Sequence, residues 1–271
     1  MIGQAERLYE LNGLVNPVSA QKGRAKIVSI TSGKGGTGKS FIACNIATEL
    51  ASKGIKVLLV DLDINLANQN VLFNLTAKKT LYHYMTYNQS IEDVIISYSE
   101  NLHLILGESG KLDHPSLNED KVNLLVNELK ELSNRYDVIL FDTSSGIENG
   151  TLQLLLKSDE IILVTSPEPT SVMDAYVIFK LLKSNGSQKN ASVIVNKCFN
   201  KNDALEAFDN LEKATKHFLK TEINYLGGLS FSKDVIRSIQ DQTPLMYSNE
   251  SSNISAQIKQ ISSKLRKATI G

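Results

Sequence analysis

The sequence predicts an α/β fold: a doubly wound, mostly parallel sheet with helices on both faces. Short, nearly continuous β-branched runs alternate with longer amphipathic segments, and a glycine-rich turn separates the first run from the first helix. Strands covered on both faces read as unbroken apolar runs, because neither face meets water. Strand–helix alternation then requires crossovers, which are right-handed in nearly every parallel sheet.

Taken in order, Lys26–Thr31 (KIVSIT), Lys56–Asp61 (KVLLVD), Val138–Asp142 (VILFD), Glu160–Thr165 (EIILVT) and Ser192–Asn196 (SVIVN) are the expected core strands. Leu102–Leu106 and Tyr225–Leu229 are expected to extend the sheet. Helices are expected over Lys39–Lys53, Asn118–Asn134, Ile147–Lys157, Ser171–Ser184, Asn202–Leu219 and Lys233–Gln240. Val122, Leu125, Val126, Leu129 and Leu132, for example, recur at helical spacing. Residues 12–25 lack periodicity and carry Gly, Pro, Asn and Ser, the signature of a flexible linker. It divides a short N-terminal segment, 1–11, from the domain at 26–271.

Composition narrows the function. With 29 Lys+Arg against 29 Asp+Glu, net charge gives no general attraction to nucleic acid or membrane. No apolar run nears the roughly 18 residues of a membrane-spanning helix, and the polar start MIGQAERLYE lacks a signal-peptide core. Cys44 and Cys198 sit in apolar stretches without a CxxC pair, which argues against a zinc or iron–sulfur site. A cytoplasmic protein with two reduced thiols is expected.

Gly33-Lys34-Gly35-Gly36-Thr37-Gly38-Lys39-Ser40 matches G-x-x-x-x-G-K-S, directly after an expected strand and before an expected helix. Glycines let the backbone turn tightly enough for successive N–H groups to converge on phosphate oxygens. The N-terminus of the helix from Lys39 adds its partial positive charge, and Phe41 in its first turn is expected among the nucleotide-binding residues. Lys39 is expected on the β- and γ-phosphates and the Ser40 hydroxyl on Mg²⁺.

Three aspartates end strands nearby. Asp142 is expected to hold Mg²⁺ through water, as a strand-end carboxylate beside a phosphate loop can. Asp63 is expected to orient or deprotonate the attacking water. Asp61 is expected to support the metal's outer shell through water. Asn196 offers a donor and an acceptor, the pair needed to read an adenine edge. The run continues Asn196-Lys197-Cys198-Phe199, not N-K-x-D, so ATP is favoured over GTP. The loops after Asp63 and Asp142 are the expected switches, since both would feel the γ-phosphate.

The lysine directly after the first glycine, Lys34, makes this loop resemble the deviant Walker A of the MinD/ParA (SIMIBI-type) P-loop ATPases. The resemblance continues through Asp61-Leu62-Asp63, Phe141–Ile147 (FDTSSGI), Val164–Glu168 (VTSPE) and Leu226–Asp234 (LGGLSFSKD), nearly the whole domain. It implies Mg²⁺-dependent ATP hydrolysis that is slow until stimulated by dimerisation or a partner. It also implies that Lys34 reaches across an ATP-sandwiched homodimer to the partner's phosphates. The Pro-Glu stretch and the loop near Ser230 would surround base and ribose.

Gly3–Tyr9 (GQAERLY) resembles the D-Q-A-x-x-L-R motif of the FlhG (FleN/YlxH) branch, which sets flagellar number and placement. Gln4, Ala5 and Leu8 match, whereas Gly3 and Tyr9 replace Asp and Arg. The resemblance implies that this segment docks on the SRP-type GTPase FlhF and stimulates it, with flagellar basal-body (C-ring) proteins as further partners. MinD-like septum placement and ParA-like DNA partition are the alternatives; the second calls for a basic cluster that this neutral chain does not advertise. At the C-terminus, a helix over 253–268 carries Ile254, Ile258, Ile261 and Leu265 as an apolar stripe flanked by basic residues. That stripe suits packing on the domain as well as peripheral contact with the inner face of the cell membrane.

Overall fold

The computed structural model describes residues 24–63, 66–87, 89–111, 113, 115–189 and 191–269. The segment 1–11, with Gln4, Ala5 and Leu8, and the linker up to residue 23 lie outside the described residues.

The strands are β1 (Lys26–Thr31), β2 (Val57–Leu62), β3 (Ile95–Ser99), β4 (Leu102–Ile105), β5 (Val138–Thr143), β6 (Glu160–Thr165), β7 (Ala191–Cys198) and β8 (Ile223–Ser230). They form one eight-stranded sheet in the order β3-β4-β2-β5-β1-β6-β7-β8. All pairs are parallel except β3 with β4. The helices are α1 (Lys39–Ser52), α2 (Gln69–Leu72), α3 (Leu81–Tyr87), α4 (Glu119–Glu131), α5 (Asn149–Lys157), α6 (Pro169–Ser184), α7 (Lys201–Ala214), α8 (Lys233–Gln240), α9 (Leu245–Ser248) and α10 (Asn253–Thr269).

Alternation along each strand divides the core between two faces. On β1, Val28 and Ile30 pack with α1, α9 and α10, whereas Ile27 points to the opposite face with α4. The outer part of that second face is closed by α6 and α7 over β6 and β7. The phosphate-loop helix α1 is buried on almost every side, with Ile42, Ala43, Cys44 and Ile46 at 0–1 % exposure.

Local chemistry moves several boundaries from their expected places. α5 begins at Asn149, not Ile147, because Gly146 turns the chain at φ 80 and Glu148 is still extended. α6 starts earlier, at Pro169, whose fixed φ suits a first helical position. α7 starts on a capping box: the Asn200 side chain accepts from Asp203 N while Asp203 answers Asn200 N. It then loosens into a π turn over Thr215–Leu219, which Lys220 ends in the left-handed region. The antiparallel edge strand β3 was not expected. Its half-buried run IISYS mixes polar and apolar residues, so it lacks the continuous apolar signal of the inner strands.

α10 corrects the membrane expectation. Ile254, Ile258, Ile261 and Leu265 are all 1–2 % exposed, packed on α1 and β8. Burying each contributes roughly 1.5–3 kcal/mol, so the stripe belongs to the core and offers no apolar face to lipid. The same helix protects the sheet edge, where Lys264 Nζ donates to Leu226 O at 2.8 Å and Gln257 Oε1 accepts from Ser230 N at 3.0 Å. Among the described residues no helix is long and apolar enough to cross a membrane.

Candidate nucleotide site

The loop between β1 and α1 is held open by its glycines. Gly36 and Gly38 adopt φ 76 and 90, the left-handed region that a side chain disfavours. Gly33 faces α6 so closely that a Cβ there would meet the Asp174 Cβ at 2.5 Å. Gly38 caps α1 without any side-chain hydrogen bond, so the first-turn amides are left for an anion. The Thr37 hydroxyl is buried and has no partner among the described residues. A cavity of about 320 Å³ opens over these groups, lined by Gly36–Phe41 and by Asp63, Asn68 and Ile239.

Lys39 is 4 % exposed and its Nζ lies 2.6 Å from Asp142 Oδ1 and 3.3 Å from Ser40 Oγ. Asp142 and Asp61 stand in register on neighbouring strands, β5 and β2, and both are fully buried. Asp142 is held by the Lys39 ammonium on one oxygen and the Gln69 amide on the other, at 2.8 Å. Among the described residues Asp61 accepts from backbone amides: Asp63 N at 3.1 Å, and Asn68 N and Gln69 N at 3.0 Å each. Burial, then the charge of Asp142, pushes its carboxyl up to about 7; the amides and Lys39 pull the other way. Its oxygens thereby fasten the segment after β2. Asp63 lies at the cavity wall, half-buried, with Oδ1 accepting from Leu66 N at 3.2 Å.

Other expected site residues fall elsewhere. Lys34 sits outside this cavity, its Nζ 2.5 Å from Glu168 Oε2 and 3.1 Å from Thr170 Oγ1. Glu168 is consequently held below the usual carboxylate range. Asn196 donates one Nδ2 hydrogen to Thr37 O at 2.8 Å and so braces the phosphate loop; an amide carries a second N–H and an acceptor oxygen besides. Phe41, by contrast, does reach the cavity wall, although at 6 % exposure most of its ring packs into the core. Beyond β7 and β8, Phe199 and Phe231 stack on each other at 5.8 Å with open faces. Gln69, Thr170 and Asp174 were missed, for each is a lone polar residue outside any motif.

The donor set fits a small hard cation better than a protein-caged one. Among the described residues no cluster of three or more His, Cys, Asp or Glu could hold a metal. One hydroxyl, Ser40, and one carboxylate, Asp142, beside free helix-terminal amides suit an ion bound mainly through phosphates and water, as Mg²⁺ is.

Comparison with known proteins was made on this geometry. The AAA domain family matches residues 25–195. The chain is 34% identical over 247 residues to the flagellum site-determining protein YlxH of Helicobacter pylori, covering 89% of this chain and 83% of that one. It is 29% identical over 240 residues to the antiactivator FleN of Pseudomonas aeruginosa, covering 89% and 86%. Among solved structures, the cell division ATPase MinD of Pyrococcus furiosus shares the fold, with a TM-score of 0.77 at 22% identity, covering 90% of this chain and 99% of that one.

Proposed function

We propose that this chain, which belongs to the AAA domain family and is a MinD-like ATPase, uses Mg²⁺-dependent ATP hydrolysis to time its own dimerisation in control of flagellum number and placement. The carrying observation is the division of labour between two lysines of one loop. Lys39 lies buried in the cavity on Asp142, whereas Lys34 lies outside it on Glu168.

A triphosphate in the cavity would take Lys39 from Asp142, leaving Ser40 and Asp142 to hold Mg²⁺. Bound there, the ion would neutralise charge between the β- and γ-phosphates. Asp63, at the cavity wall, has the place to orient or accept a proton from an attacking water. Lys34, held outside the cavity by Glu168, would serve the site of a second copy once released, as the resemblance to the MinD/ParA ATPases implies. Hydrolysis then limits the lifetime of the dimer. The flagellar assignment is supported by the names of the YlxH and FleN relatives, each aligned over 89% of the chain. Through Gln4, Ala5 and Leu8 the segment 1–11 would act on an FlhF-like GTPase, and C-ring proteins would be the assembled cargo. We place this activity in the cytoplasm.

Light scattering on the Asp63→Ala variant tests the timer: a stable dimer with ATP and a monomer with ADP is expected. A monomer under both conditions would overturn it. A peptide of residues 1–11 should raise the GTPase rate of FlhF, and Gln4→Ala should erase the effect; no stimulation would overturn the flagellar reading.

A further inference from the structure

Gln69, the first residue of α2, is fully buried at the heart of the site. Its Nε2 donates to Asp142 Oδ2 at 2.8 Å and to the Ser40 carbonyl oxygen at 3.0 Å. Both partners only accept, so the orientation of the amide is dictated by chemistry. Its main-chain N donates to Asp61 Oδ2 at 3.0 Å. One atom is left over: Oε1 is buried and receives no donor among the described residues. Buried acceptors of this kind are rare in folded proteins and call for an explanation such as a water or an ion.

We propose that Gln69 is a positioning residue for the metal-bearing nucleotide. It fixes Asp142 by one oxygen and offers Oε1 as the acceptor for a water of a divalent ion's hydration shell. The proposal rests on the ATP and Mg²⁺ reading above. The geometry gives Gln69 a selective role. Lys39 and Gln69 each hold one oxygen of Asp142. When Lys39 turns to phosphate, Oδ1 is released while Oδ2 keeps its bond to Gln69, which favours one orientation of the carboxylate. Gln69 also ties this event to the chain that follows Asp63. Its main chain shares Asp61 with the amides of Asp63 and Asn68, and Asp63, Asn68 and Val71 line the cavity. A shift of the Gln69 amide is thereby passed to residues 66–72, the expected switch.

The test uses the full chain and compares nucleotide affinity with Mg²⁺ and with chelator. Gln69→Met keeps the length of the side chain and removes its donors and acceptor. Its affinity in chelator should match the wild type, while the gain on adding Mg²⁺ should shrink about tenfold, as loss of an outer-shell partner does. Hydrogen exchange of residues 66–72 should cease to respond to Mg²⁺. An undiminished Mg²⁺ gain would overturn the proposal, and so would an equal loss with and without Mg²⁺, which marks a brace of the loop alone. A wild type that binds no nucleotide would instead overturn the functional reading itself. A second measurement needs no variant: the side-chain amide signal of Gln69 in glutamine-labelled wild type should shift when Mg²⁺ joins the nucleotide complex. A signal indifferent to Mg²⁺ would overturn the proposal even if Gln69→Met failed to fold.

Discussion

The sheet ends differently on the two sides of β1. Toward β5 and β2 it ends in Asp142 and Asp61, fully buried and held by Lys39, Gln69 and backbone amides. Toward β6, β7 and β8 it ends in side chains that face outward: Glu168, Phe199 at 85 % and Phe231 at 53 % exposure. The first side is finished within one chain, because charges taken out of water must already be partnered. The second is unfinished, with an apolar pair and an ion pair that a partner could replace. On the function proposed above, chemistry would use the finished side and recognition the open one.

The largest effect should come from breaking the finished side. Lys39→Ala removes the countercharge of the buried Asp142 carboxylate and leaves it the neutral Gln69 amide, and loss of one partner of a buried pair costs about 3–5 kcal/mol. Chemical denaturation should show that loss, and nucleotide titration should show no binding; retained affinity would remove Lys39 from the site. Asn196→Ala bridges the comparison, since it frees the Thr37 carbonyl from its 2.8 Å bond. A buried acceptor left alone costs about 1–3 kcal/mol, and the same denaturation experiment reads it.

Asp61 gives the finished side a pH dependence. Its carboxyl holds a proton in the fold up to about 7, against an ordinary value of 3.8. Between those values the folded chain binds more protons than the unfolded one, so this contribution to stability is full below 3.8 and is lost as pH rises through about 7. Nucleotide-free protein should lose stability across that window, and Asp61→Asn should flatten the decline. The open side should yield the smallest stability changes. Phe199→Ser should stay within about 0.5 kcal/mol, yet weaken any assembly that uses the Phe199–Phe231 pair, as sedimentation would report. Glu168→Gln should leave the melting temperature unmoved and raise the ATP-dependent dimer fraction, because it releases Lys34. An unchanged dimer fraction would mean that the ion pair restrains nothing.

Much of this was legible in the residues. β1, β6 and α8 run over the expected residues, since continuous apolar runs and strong helical spacing each admit one period. The phosphate loop was legible because backbone geometry and phosphate chemistry dictate nearly every position in it. Asp61 and Asp63 were harder to separate. They share one side of an extended strand, and only the path of the chain beyond Leu62 turns one toward backbone amides and the other toward the cavity. Gln69 carried no signal at all, because a single buried glutamine fits no period. The stripe on α10 announced an apolar face without announcing what covers it.

That covering has a consequence for biosynthesis. Asn45, in the phosphate-loop helix, accepts a hydrogen bond from Met246 N, 201 positions later, and α10 packs on the same helix. At about 5–20 residues per second, ~10–40 s pass on the ribosome between the two. A nascent chain stopped short of Asn253 already carries every residue of the loop, yet the floor under its helix is unlaid. A chain truncated before Asn253 should therefore hold nucleotide more weakly than the full chain, a difference that nucleotide titration of the two would read.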